Sequence, residues 1–436
     1  MSKSSSLVVL VSALLFSGTA FASTDINGLF DARSHAMGGT GVAFIDSPGA
    51  VPINPALLDQ VKKYSVSLDV LGIRAQPTAP YTIWHQNPDG SNYQSYESVR
   101  SKPAFAPLPF LGVAYRLHER VVLGIATYPV IGQGTTALYR PAPDKYPNLW
   151  ASNNAKMGLV EAGDALSIRI LDNLSIGLMW RLTYMTQTVS TPVATGGPPA
   201  GVLLNLKDPN NPQVANADIK VTGLNFAGFQ FGVLWKPFSN LRLGFTYRSK
   251  VSVSGTGTTT THLGNSEIKL PTKGGFVNPH SFRTGFALSA LNEKLLFAFD
   301  FKYLLYAEAY KEIKTVVTMN GMNQAKYQPA YWKNSAVGEF GVEYKAIDKL
   351  AVRAGYTVLN TATNPNYALA FFAPAGISHL VTGGFGVKAM ENLNIDAALG
   401  YVVVKTHIDT ATKDNAGIGT YSSKGVEFSL QAVYHK

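Results

Sequence analysis

The chain has 436 residues, no cysteine, a net charge of +10, and 15% charged against 46% hydrophobic residues. The missing thiols exclude disulfide stapling, thiolate catalysis and cysteine-ligated zinc. A water-soluble domain usually carries about 25% charge, and Lys and Arg stand singly here rather than in a basic run, so no nucleic-acid partner is expected.

The first 22 residues read as a leader. Lys3 supplies the positive start, Leu7 to Phe16 the apolar core, and Ala20-Phe21-Ala22 a small-x-small cleavage site, predicting a mature start at Ser23. The alternative is an N-terminal anchor, but the apolar run is shorter than the ~20 residues that a spanning helix needs.

Residues 23–62 show no strand alternation. They contain Gly38, Gly39 and Gly41, then Asn54-Pro55-Ala56, a small-residue-rich stretch suited to close packing. A hatch filling a barrel is one reading; a disordered periplasmic tail is the other.

From residue 63 onward, alternating strands are punctuated by six tight polar corners. These are Leu117-His118-Glu119-Arg120, Leu171-Asp172-Asn173-Leu174, Phe238-Ser239-Asn240-Leu241, Leu291-Asn292-Glu293-Lys294-Leu295, Ile347-Asp348-Lys349-Leu350 and Met390-Glu391-Asn392-Leu393. Counting strands around them gives fourteen, near 63–74, 108–117, 120–130, 157–170, 173–189, 219–236, 240–254, 279–291, 294–306, 333–346, 349–359, 379–389, 392–406 and 423–434. Seven long connections are expected on the opposite end, near 75–107, 131–156, 190–218, 255–278, 307–332, 360–378 and 407–422.

Within strands, Leu295, Phe297, Phe299, Phe301 and Tyr303 share one face while Ala298, Asp300 and Lys302 share the other. Tyr115, Trp235, Tyr344 and Tyr434 lie near the corner ends of the apolar face, and Tyr247, Tyr303 and Tyr356 nearer the outer ends. Two aromatic girdles around an apolar band match a bilayer, and lipid cannot satisfy open strand edges. The expected fold is therefore all-β: a 14-stranded antiparallel transmembrane β-barrel in the Gram-negative outer membrane, plugged by an N-terminal hatch. Its domains would be a leader (1–22), the hatch (23–62) and the barrel (63–436), with a polar inner face.

Three stretches resemble one family. Ala32-Arg33-Ser34 to Gly41 followed by Asn54-Pro55-Ala56, then Asn278 to Gly285, then Trp332 to Tyr356, are similar to the FadL-type transporters of long-chain fatty acids and aromatic hydrocarbons. The resemblance covers essentially the whole mature chain. It departs in lacking early aromatic-glycine residues in the hatch and in ending Tyr434-His435-Lys436. It implies a hatch carrying Asn54, Pro55 and Ala56, substrate capture among outer loops, and exit through the wall beside a kinked third strand. Pro129 is the candidate kink, with an ordinary strand end as the alternative.

Two outer loops are apolar: one carries Val202, Leu203 and Leu204, the other Leu369, Phe371 and Phe372. They read as substrate-capture surfaces or as loops packing over the barrel mouth. Of the lumen-facing charges, Arg181, Arg242, Arg248, Asp300, Lys302, Glu339, Glu343, Arg353, Asp396 and Glu427 are expected to form networks with the hatch, although one cation could meet a fatty-acid carboxylate.

No nucleophile elbow, zinc-binding HExxH or P-loop occurs, so no enzyme, cofactor or metal site is expected. The function predicted is passive, substrate-gated uptake of hydrophobic small molecules by a monomer in contact with lipopolysaccharide and outer-membrane lipid. The rivals are an adhesin or secretion accessory, and an open porin.

Overall fold

A computed structural model describes residues 30–195, 197–205, 212–263, 266–370, 374–412 and 417–436. The expected leader lies outside them, as do Phe371 and Phe372.

In chain order the strands are β1 (Tyr64–Gln86), β2 (Asn92–Arg100), β3 (Ala104–His118), β4 (Val121–Tyr139), β5 (Ala151–Leu171), β6 (Leu174–Pro192), β7 (Leu204–Asn205), β8 (Gln213–Val214), β9 (Asn216–Phe238), β10 (Leu241–Arg248), β11 (Val251–Leu263), β12 (Ser266–Asn278), β13 (Ser281–Ala290), β14 (Leu295–Leu304), β15 (Glu312–Met319), β16 (Met322–Pro329), β17 (Ser335–Ile347), β18 (Leu350–Asn360), β19 (Ile377–Met390), β20 (Leu393–Ile408) and β21 (Gly419–His435). Two staves are each broken in the middle: β10 continues as β11, and β12 as β13. The staves close into a 14-stranded antiparallel barrel. Closure runs along β1 and β21, from Ser65 opposite His435 to Thr78 opposite Ser422.

All six corners are turns at one end. Five leave two residues between the last paired positions, and each is followed or preceded by a register shift, as between Lys345 and Ile347. Such a bulge adds twist and lets a short turn join two tilted strands. The sixth, Leu291 to Lys294, is longer and places Leu291, Asn292 and Glu293 at positive φ.

Side chains alternate as the sequence predicts. On β14, Phe297, Phe301 and Tyr303 are exposed while Leu296, Ala298, Asp300 and Lys302 are buried. Tyr115, Trp235 and Tyr344 are exposed near the corner end, and Tyr303 and Tyr356 further out.

Two expectations need correction. Much of the sequence assigned to outer loops is strand: β1 runs on to Gln86 and pairs β2, β11 pairs β12 through residues 251–278, and β15 pairs β16. Beyond the bilayer the outer face of a hairpin meets water instead of lipid, so in the stretch Thr256–Thr261 threonines serve both the exposed face (Thr256, Thr258) and the buried one (Thr259, Thr261), and the apolar alternation that reveals a lipid-spanning strand is lost. The inner face is also not uniformly polar. Its outer half is lined by Met157, Leu159, Met185, Val221, Phe276 and Trp332, all buried in one cluster.

Charge on the lipid face tests this register. Phe340→Arg, at a position 47% exposed, should cost about 2–4 kcal/mol in urea unfolding from lipid vesicles; unchanged stability would mean that Phe340 points inward.

Candidate functional site: the plugged lumen and its wall

The hatch is built from short turns that present backbone groups to the barrel. Asp31 caps the helix Ala32–Ala36, accepting from Ser34 N, and also accepts from Ser47 Oγ at 2.7 Å and Gln431 Nε2 at 3.1 Å. Asn54 precedes the 3-10 helix Pro55–Gln60, where Pro55 needs no N–H partner. The Asn54 side chain accepts from Ala56 N at 3.1 Å and donates to Val42 O (2.8 Å) and Val233 O (3.0 Å). Asn54 therefore joins two hatch segments to β9. Ala56 O in turn accepts from Ser167 Oγ on β5 at 3.0 Å.

Close approach needs glycines on the wall. A Cβ at Gly124, Gly177, Gly232, Gly244, Gly341 or Gly355 would run into hatch atoms, for example Asn54 at Gly232 and Ala56 at Gly177. These positions lie on strands all around the ring, so the hatch contacts the wall over most of its circumference.

Charges fasten the hatch. Asp300 Oδ2 accepts from Gly41 N and Val42 N, both at 2.9 Å, and from Arg283 Nε at 2.8 Å. Arg283 also donates to Gly39 O and reaches Glu339, which faces Lys302 at 2.6 Å. Arg33 in the hatch makes two 2.8 Å bonds to Glu343, and Glu343 also pairs with Arg353, itself 2.6 Å from Asp396. A third group centres on Glu161, which accepts from Tyr128, Arg181 and Arg248 at 2.6–2.8 Å. Arg242 donates to Gln60 and Ser289, at 3.3 and 3.4 Å. Glu427 lies 3.3 Å from buried His35. Buried charges survive in low dielectric only with such partners.

Outward of the hatch the lumen turns apolar and aromatic. Phe276, Tyr306, Tyr310 and Trp332 pack together, with the Tyr310 and Trp332 rings 4.2 Å apart. A second aromatic group, Phe30, Phe110 and Tyr128, joins the start of the described hatch to β3 and β4. Neither group was singled out from sequence. The residues lie far apart in the chain, and only the period-two placement of Phe110 and Phe276 on inward faces hints at them.

The second group faces a break in the wall. Among the described residues, β3 and β4 pair from His118–Val121 up to Leu111–Thr127, then not again until the bridge of Lys102 to Thr136. Pro107, Pro109 and Pro129 flank the break, and none has an N–H to leave unpaired. At Pro129, β4 does not end: it continues to Tyr139, with a register shift against β5 between Pro129 and Ile131.

The apolar outer loops pack on other parts of the mouth. Val202 is buried with Ala142, Leu149 and Ala200, and Leu204 packs beside them; Leu203 packs on a cluster around Val193 and Leu270. Leu369 packs against the main lumen cluster.

Removing one partner from a buried charge group strands the others. Asp300→Ala should cost about 3–5 kcal/mol and free the Gly41 and Val42 amides, so ion conductance in planar bilayers should rise above the wild-type level. A variant as stable and as insulating as the wild type would deny Asp300 its fastening role.

The fold has close counterparts. A Pseudomonas aeruginosa FadL homologue matches with a TM-score of 0.71 and 18% identity, covering 96% of this chain and 99% of its own. The Pseudomonas putida toluene transporter TodX gives 0.69 and 15%, covering 96% and 100%. The Ralstonia pickettii toluene transporter TbuX gives 0.66 and 18%, covering 93% and 98%. No curated protein matches the chain. The family model described as outer membrane protein transport protein (OMPP1/FadL/TodX) matches residues 9–435, and the chain belongs to that family of outer-membrane transport proteins.

Proposed function

We propose that the protein carries uncharged hydrophobic molecules, of the monoaromatic hydrocarbon kind, passively from the cell exterior into the outer membrane. The observation that carries this reading is an apolar, aromatic-lined outer lumen that ends at a break in the wall instead of at an open polar channel. The toluene transporters of the same fold support the cargo class.

A carboxylate cargo would need a cation to receive it. The buried basic residues Arg181, Arg248, Arg283 and Lys302 all face carboxylates already. Taking one away would leave an acid stranded in low dielectric, a cost that a fatty-acid headgroup would have to offset.

Cargo would gather at the mouth around Leu203, Leu204 and Leu369 and pass the Tyr306–Tyr310–Trp332 group. It would leave between β3 and β4, beside the Pro129 bulge. Phe30 sits at that exit against Tyr128, so the hatch is the gate, and Asn54, Pro55 and Ala56 are its anchor. Binding shifts such a gate only by the ligand's differential affinity for its two states. No nucleotide site drives the flux, so the gradient sets its direction. The exposed Lys333, near the outer aromatic girdle, suits contact with lipopolysaccharide phosphates. The closed sheet leaves no edge that calls for a second copy, which supports a monomer.

In liposomes holding the protein, an alkylbenzene should enter at least tenfold faster than through protein-free membranes, and faster than its ring-carboxylated analogue at neutral pH. Equal facilitation of both would refute the preference for uncharged cargo. Facilitation of neither would refute transport of this class altogether.

A further inference from the structure

The wall is also interrupted between β9 and the stave formed by β10 and β11. Pairing with β9 runs from Leu241 to Arg248, which lies opposite Gln230, and resumes only at Gly255 opposite Gly223. Among the described residues one backbone bond lies in that interval, Ser249 N to Phe229 O at 3.0 Å, and no ladder pairing joins 250–254 to β9. On its other edge, β9 carries a bulge against β6, where Arg181 opposes Gly228 and Thr183 opposes Asn225.

Side chains stand in for the missing ladder. Asn225 Nδ2 donates to Ser252 O at 2.8 Å, Trp180 Nε1 to Phe226 O at 2.6 Å, and Arg181 Nη2 to Ser249 O at 2.5 Å. Phe229 N donates to Ser249 Oγ at 2.9 Å, and Lys250 N to His280 Nδ1 at 3.1 Å. Backbone groups left open in hydrocarbon would each cost several kcal/mol. Here they are satisfied by groups that can let go without unzipping a sheet.

The interval is thin and greasy on both sides. Leu224, Phe226 and Phe229 are exposed on the lipid face. Val251 and Val253 are buried in the same cluster as Met185, Val221 and Phe276, which line the lumen. At the bulge Gly228 packs against Val251 and Arg181: a Cβ on it would lie 2.8 Å from Val251 Cγ2 and 3.1 Å from Arg181 Cβ.

The neighbouring stave is interrupted beside the interval. β10 stops at Arg248 and β13 begins at Ser281, directly opposite each other; β11 begins at Val251 and β12 ends at Asn278, again opposite. Both staves thus break at one level, at 249–250 and 279–280. The hairpin β11–β12 above that line pairs with β9 on one side; on the other, Thr272 and Lys273 pair with β15, Val277 N donates to Tyr310 Oη at 2.8 Å, and Phe276 packs on the Tyr310 ring.

From the broken ladder, the line of stave breaks and the apolar faces, we propose that this interval is a second lateral port for the same uncharged cargo. Val251 is its door, and the β11–β12 hairpin is the panel that moves. The inference rests on the transport reading above. Glu161 ties the two exits together, holding Tyr128 beside the first and Arg181 and Arg248 beside the second. Arg248 also donates to Pro52 O in the hatch at 3.2 Å, so a shift of the hatch is felt at both.

The absence of native cysteine permits a clean test on folded protein. Single variants Ser252→Cys at the second interval, Pro107→Cys at the first, and Thr258→Cys on the intact β11 ladder are purified, then treated with a bulky polar maleimide. Alkylbenzene influx into liposomes is compared before and after labelling. Labelled Ser252→Cys should lose at least half its influx, labelled Thr258→Cys none, and the labelled double variant Ser252→Cys/Pro107→Cys nearly all. Full influx through labelled Ser252→Cys, with none through labelled Pro107→Cys, would overturn the second port and leave the first exit standing. Absence of facilitated influx in the unlabelled variants and the wild type alike would overturn the transport reading itself.

Discussion

In hydrocarbon, a backbone N–H or C=O without a partner costs several kcal/mol, and no water is present to supply one. That constraint closes β1 on β21 and makes the strands long. It also gives meaning to places where the ladder stops, two of which border apolar surface on both sides. A soluble sheet can end anywhere; a lipid-facing one must satisfy each open group by other means. Between β3 and β4 the flanking prolines remove donors, while between β9 and β11 the side chains of Asn225, Trp180, Arg181 and Ser249 replace the missing partners.

The hatch solves the opposite problem. A fourteen-strand ring is too wide for its own side chains to fill, so a separate segment occupies the centre, with its polar backbone enclosed. Asp300 receives the Gly41 and Val42 amides, and Asn54 receives and donates at the turn before Pro55. Wall glycines bring the two backbones close enough for these bonds. Buried charge groups of this sort add little net stability over apolar packing but penalise any arrangement in which one member is missing. A plug held in this way is specific in position.

Polarity is divided by height inside the barrel. Near the periplasmic end, Glu343, Arg353, Asp396 and Asp300 hold the hatch; further out, Met157, Val221, Phe276 and Trp332 offer nothing for ions to bind. An ion entering from outside would meet a desolvation barrier before it met the hatch, whereas a hydrocarbon meets neither barrier until the wall break.

The sequence by itself determined the ring. Period-two alternation in strands such as Leu295–Tyr303, six polar corners and two aromatic girdles are local signals, because a lipid face demands an apolar residue at every second position. It also pointed to the hatch, since residues 23–62 lack that period while carrying the glycines and the Asn54-Pro55-Ala56 turn. The strand extensions beyond the bilayer were not legible, because a face that meets water instead of lipid is no longer apolar, and polar residues such as Thr259 and Thr261 fill the buried face too. Pro129 was ambiguous for a related reason: proline excludes a donor equally at a strand end and at a bulge, and only pairing with β5 distinguishes them. The apolar outer lumen, the grouping of Tyr128, Arg181 and Arg248 on Glu161, and the two wall breaks were decided by tertiary structure alone. Each depends on which residue of one strand stands opposite which residue of the next, and that register is fixed by closing the whole ring.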